Sequence, residues 1–167
     1  MNKRQQEIYR ITELRAKRLP FLGEYLSDTD DIIGYILKCH LFTESILDDL
    51  IRLVLKENAE AVLSINLTYS NKLNLVARLN IIEGIELIPE YAVNSLRKLN
   101  QLRNRISHEL GKTVTDSEIK ELFMGLESEL PYKDILEHGQ KDAIRRYAAF
   151  IFGCLLPKFE IHDETIQ

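Results

Sequence analysis

The sequence predicts an all-α fold, an antiparallel helical bundle of five or six helices. Three observations predict it. Only seven glycines and four prolines punctuate 167 residues, which leaves room for long helices. Apolar residues recur three and four positions apart in most segments, the mark of one buried helical face. Runs that alternate apolar and polar residues, the mark of half-buried strands, are missing from the sequence. At this length, with 45% apolar residues, the chain can bury one real core. Residues 1–167 are therefore read as a single helical domain, with an N-terminal helix at about 3–18 and a polar tail at about 160–167.

The elements follow in order. The first helix runs from about Lys3 to Lys17, carries Ile8, Ile11 and Leu14 on one side, and stops near Pro20. "SDTDD", Ser27 to Asp31, is a cap-like cluster opening a long helix from Asp31 to about Lys56. Its apolar stripe is Ile33, Leu37, Leu41, Leu47, Ile51 and Val54. "NAEAVLSI" reads as a short helix, and "SNKLNLVARLNII" as another ending at Gly84. Pro89 is placed as the first residue of the next helix, which reaches about Leu110 before Gly111 stops it. Thr115 and Glu118 form a capping-box pattern ahead of "SEIKELFMGL", and Pro131 ends that piece. The last long helix carries Ile144, Ala148, Ile151 and Leu155, with Gly139 at its start.

Composition narrows the function. A net charge of −4 argues against a chain that binds nucleic acid with its whole surface. The charge is uneven, however. Asn2 to Arg18 holds six basic and two acidic residues, and Arg97 to Lys112 five basic and one acidic, whereas Thr113 to Glu137 is acidic. Cys39 and Cys154 share no metal-ligand spacing and read as reduced core residues, which suits a cytoplasmic protein. The basic N-terminus has no apolar run behind it, so no signal peptide is expected, and no apolar run is long enough to cross a bilayer. Phosphate-cradling glycine loops, zinc motifs and a nucleophile elbow are missing, so no metal or cofactor is expected. His40 reads as a packed or partly exposed histidine, His138 as part of a turn, and Arg145 and Arg146 as a solvated face.

The densest chemistry is "LRNRISHEL", Leu102 to Leu110. On a wheel of about 100° per residue, Ala92, Leu96, Leu99, Ile106 and Leu110 form an apolar stripe that contains Arg103. Asn100, Asn104 and His108, each four residues apart, form a polar column beside it, joined by Arg97 and Ser107. A buried arginine without a partner costs several kcal/mol, roughly. A carboxylate from another helix, with Asp48 and Asp49 as candidates, a second subunit or a bound phosphate would each offset that cost. Arginine grips phosphate oxygens bidentately, and histidine moves protons near neutrality. Together they can cleave RNA without a metal.

"RNRISH", Arg103-Asn104-x-x-x-His108, resembles the R-(N/D/H)-x-x-x-H signature of the HEPN superfamily. "FTESILDDLIRLVL", "SNKLNLVARLNII" and "LNQLRNRISHEL" are similar in order and spacing to bacterial HEPN-like proteins, over about Ile33 to Leu110. The resemblance implies an α-helical bundle that dimerises through the motif helices and binds RNA in the groove between them. It implies a metal-independent endoribonuclease, a toxin or phage-defence effector, with Arg103, His108 and Asn104 as the catalytic set. Arg97, Asn100, Arg105 and Ser107 are expected to make weaker RNA contacts, and an antitoxin or regulatory protein is a further expected partner. In a toxin subgroup paired with a nucleotidyltransferase, a modified tyrosine follows the histidine by two positions; Leu110 stands there, so that control is not implied. The superfamily also holds non-catalytic members resembling mannitol operon repressor-type proteins. A regulatory or interaction module, with Arg103 ion-paired in the core or at a dimer interface, is the alternative reading.

Overall fold

The computed structural model describes residues 6, 9, 10, 12, 13, 16–18, 20, 31–82, 85–109, 111, 113–126, 130 and 134–155. They form a helical bundle with one short ribbon of paired strands. The helical residues described between 6 and 20 form α1, which reaches Pro20 as the sequence leads one to expect. Ile8, Ile11 and Leu14 lie outside the described residues, as do residues 27–30, Gly84, Leu110, Pro131 and the tail. Arg18, near the end of α1, bonds Asp49 through Nε at 2.7 Å and so ties α1 to the next helix.

Helix α2 spans Ile32–Leu55. Asp31 caps it, its carboxylate accepting from the N–H groups of Ile33 and Gly34 at 3.1 Å each. A 3-10 turn, Lys56–Asn58, and a short α3, Ala59–Leu63, follow. Thr68 caps α4, Tyr69–Val76, by accepting from the Asn71 N–H at 3.2 Å. Here the structure corrects the sequence reading. The helix expected to continue to Gly84 ends at Val76, and Asn80–Ile82 is a strand (β1) paired antiparallel with Ile85–Glu86 (β2). Two consecutive β-branched isoleucines favour extended backbone and weaken a helix end, so "NII" pairs with "IE" instead.

Helix α5 spans Glu90–His108, with Pro89 just before it as the cap residue. The Pro89 carbonyl accepts from the N–H groups of Ala92 and Val93 at 2.9 and 3.1 Å. Beyond His108 the backbone leaves helical geometry at Glu109, and Gly111 turns it with φ +85°, a conformation glycine adopts without steric cost. Thr115 and Glu118 close the capping box of α6, Asp116–Phe123. Helix α7, Gly139–Leu155, completes the bundle.

Side-chain pairs give the directions of the helices. Asn100 meets Ser70 and Arg97 meets Asn74, so α5 runs against α4. Arg105 meets Glu118 and Ser95 meets the Leu122 carbonyl, so α5 also runs against α6. By contrast, α2 and α4 run in one sense, since Tyr69 meets His40 and Thr43 while Lys72 meets Glu44 and Asp48. Phe42 on Phe152 and Tyr35 on Arg145 set α7 in the same sense as α2.

Helix α2 is the central element, packed on α4, α5 and α7. Contact on several sides demands a broad apolar face, and two neighbouring stripes supply it. One is Tyr35, Cys39, Phe42, Ile46 and Leu50; the other is Ile36, His40, Thr43, Leu47 and Ile51, all buried. Of the stripe read from the sequence, Leu47 and Ile51 belong to this face, and the rest lie off it. Leu41 is 52% exposed, and Ile33, Leu37 and Val54 are half-buried. Each fully buried leucine or isoleucine stabilises the fold by about 1.5–3 kcal/mol. Cys39 lies in the core, where burial pushes its thiol up to about 12. No described helix is long and apolar enough to cross a membrane.

Candidate functional site

The site is built on the second half of α5. Its core side is Ala92, Val93, Ser95, Leu96, Leu99 and Leu102. Arg103 keeps the angular position expected for it, on the apolar side of the helix, but is only half-buried there. Ile106 is also only half-buried. Ser95 Oγ donates to the Leu122 carbonyl at 2.6 Å, holding the helix to α6.

Asn104 is half-buried, and the Arg103 guanidinium donates to its Oδ1 at 3.0 Å. This bond has a geometric consequence. Arg103 and His108, five residues apart, stand about 140° apart around the helix. Asn104 and His108, four apart, share a face. The Asn104 amide therefore draws the guanidinium towards the side that carries His108, which is exposed in the last turn of α5. Ser107, also exposed, donates its hydroxyl back to the Arg103 carbonyl at 3.0 Å.

The charges around α5 are allotted unevenly. Arg97 is exposed and donates to Asn94 at 2.9 Å and to Asn74 on α4 at 3.1 Å. Arg105 bonds Glu118 at 2.8 Å and stands 3.5 Å from Glu109. Arg103 has no carboxylate partner among the described residues. The acidic candidates on α2 are engaged elsewhere. Asp49 holds Arg18 and lies 3.6 Å from Arg52, while Lys72 holds Asp48 at 2.9 Å and Glu44 at 3.0 Å. Burial works against the Lys72 charge, yet its bonds to Asp48 and Glu44 prevail and its pKa is raised.

One residue beside the motif was not singled out as functional in the sequence. His40, only 2% exposed, lies on α2 against the polar column. Its Nε2 is 2.9 Å from the Oδ1 of Asn100, and its ring stacks on Tyr69 with centroids 4.2 Å apart. Asn100 in turn donates to Ser70 Oγ at 3.1 Å, and Thr43 bonds both the His40 carbonyl and the Tyr69 hydroxyl. Burial lowers the His40 pKa; the Asn100 bond opposes that, and the charge of Arg103 is close enough to add to it. The only signal in the sequence was register: His40 falls four after Ile36 and three before Thr43, within the buried stripe of α2.

The remaining candidates are spread elsewhere. His138 is exposed in a turn, His162 lies outside the described residues, Arg145 is exposed and Arg146 pairs with Asp142 one turn away. Among the described residues no cluster of three or more His, Cys, Asp or Glu converges as a metal site. Of the predicted set, Arg103, Asn104, Ser107 and His108 share the outer end of α5, Asn100 lies one turn deeper, and Arg97 and Arg105 are held to α4 and α6. The chain matches no family model, no curated protein and no solved structure.

Proposed function

We propose that the protein is a metal-independent endoribonuclease acting as a homodimer, with Arg103, Asn104 and His108 as its site. One observation carries the reading: a half-buried guanidinium with no carboxylate partner among the described residues, turned by Asn104 towards an exposed histidine. Such a guanidinium is suited to a phosphate diester, which supplies the missing charge through two parallel N–H···O bonds. In the reaction, a 2′-hydroxyl attacks the adjacent phosphorus. Its proton passes to an imidazole, the 5′-oxygen leaves with a proton, and a 2′,3′-cyclic phosphate remains. Arg103 would stabilise the extra negative charge on the pentacoordinate phosphorus. One imidazole cannot readily be both base and acid in one step, so two copies of α5 side by side would supply two His108 rings.

The test is cleavage of a broad RNA panel in EDTA. Wild type is expected to cut RNA and to leave DNA, which lacks the 2′-hydroxyl, intact. Arg103→Ala and His108→Ala are each expected to lower the rate by about 100-fold or more, with helical content unchanged. An intact RNA panel, or undiminished cutting by both variants, would overturn the proposal. An uncut panel together with tight binding of a protein partner would point instead to a regulatory module.

A further inference from the structure

We propose that His40, buried on α2, is a positioning residue for the Arg103 site, because its ring occupies the Asn100 oxygen that would otherwise compete for the guanidinium. The inference rests on Arg103 being an anion-binding group, and deepens that reading.

The Asn100 amide is held at both ends, its Oδ1 by His40 Nε2 at 2.9 Å and its Nδ2 by Ser70 Oγ at 3.1 Å. An amide oxygen only accepts, so His40 must carry its proton on Nε2. The other ring nitrogen, Nδ1, is then a bare acceptor, buried and without a hydrogen-bond partner. Tyr69, stacked on the ring with centroids 4.2 Å apart, restricts its movement. Asn100 stands three residues before Arg103, as a neighbour on the helix surface. Released from His40, its Oδ1 becomes a second neutral acceptor within one turn of the guanidinium. Arg103 would then divide its N–H groups between Asn100 and Asn104 and be drawn back along the polar column, away from its His108 end. With Oδ1 occupied, Asn104 alone directs it.

The charged and titratable groups set against the ring are Arg103 of α5, Glu44 of its own helix and Tyr69 of α4. A phosphate on Arg103 would offset the cation that disfavours a charged ring, so anion binding and His40 protonation are linked reciprocally.

The experiment titrates the full-length protein with inorganic phosphate and follows the Arg103 Nε–H resonance by NMR, assigned from its loss in Arg103→Lys. His40→Met removes the donor and keeps the bulk; His40→Gln offers an amide N–H at a similar reach. The expected result is about ten-fold weaker phosphate affinity in His40→Met and a value within about two-fold of wild type in His40→Gln. A second measurement needs no variant: phosphate should raise the titration midpoint of the wild-type His40 ring while leaving that of exposed His138 in place. No phosphate response at Arg103, wild-type affinity in a folded His40→Met, or an unmoved His40 midpoint would each overturn the inference. RNA cleavage in EDTA is run in parallel. A phosphate response in a protein that cuts no RNA refutes the nuclease and leaves the role of His40 standing.

Discussion

Arg103→Met separates a structural arginine from a functional one. The two side chains are similar in length and helix propensity, so the change removes charge and little else. What is lost is one hydrogen bond, from the guanidinium to Asn104 Oδ1 at 3.0 Å, between half-buried groups. Such a bond contributes about 0.5–1.5 kcal/mol, and the Asn104 oxygen left behind can still be hydrated. What is relieved is the desolvation of a cation that no carboxylate offsets among the described residues, beside a buried histidine whose own charging it opposes. These effects have opposite sign and similar size, so the net change in unfolding free energy should lie within about 1 kcal/mol of zero. A buried arginine paired to a carboxylate would behave differently, since breaking it would cost about 3–5 kcal/mol. The assay is urea unfolding at pH 7, followed by helical circular dichroism. A loss above about 3 kcal/mol would show that Arg103 holds the fold, and the reasoning behind the site would be wrong.

Other perturbations probe the framework. Glu118 accepts from the Thr115 N–H, the Thr115 hydroxyl and Arg105 at 2.8–2.9 Å; Glu118→Ala should cost about 2–3 kcal/mol by chemical denaturation against about 1 for Thr115→Ala. Equal costs would mean that Arg105 adds nothing to the box. Lys72, 13% exposed between Glu44 and Asp48, should cost about 2 kcal/mol as Lys72→Met and lower the melting temperature by about 4–8 °C. Because its folded pKa is raised, its contribution is complete below about 10.5 and fades as pH rises through the folded value, which an alkaline melting series would show. His40 works in the opposite direction: its folded pKa is lowered, so the unfolded chain takes the proton more readily as pH falls below about 6.5. Stability should therefore decline on acidification, with a shallower slope in His40→Gln; identical slopes would show that the ring is not the group responsible.

The elements that could be read from the sequence are those whose physics is local. Asp31 and the Thr115–Glu118 box each satisfy backbone groups within four residues, and Gly111 supplies a left-handed turn that glycine adopts freely, so local sequence identifies them. Errors arose where partners outside the helix itself decide. The end of α4 depends on a strand partner for "NII". The buried face of α2 is set by α4, α5 and α7, which leave Leu41 out and bring His40 in. The Arg103–Asn104 contact joins adjacent residues and was within reach of the sequence. The His40–Asn100 contact spans 60 residues, and no helical wheel of one segment contains it.

The same distinction explains how three arginines on one helix acquire different roles. In the sequence Arg103 stands apart as the arginine inside the apolar stripe, while Arg97 and Arg105 read only as weaker RNA contacts. In the fold, the partners of Arg97 and Arg105 arrive from 23 and 13 residues away, on α4 and α6. Each of these arginines clamps α5 to a neighbour and thereby fixes the rotation of the helix about its axis. In that orientation Leu102 is buried and Arg103 half-buried. The two clamped arginines thus hold the helix that carries the third, and His40 pins Asn100 one turn before it. Loosening either clamp should rotate Arg103 inwards or outwards and impair the site without touching it. Of the three arginines of α5, Arg97 and Arg105 are thus structural charges, and Arg103 is the one proposed to meet a ligand.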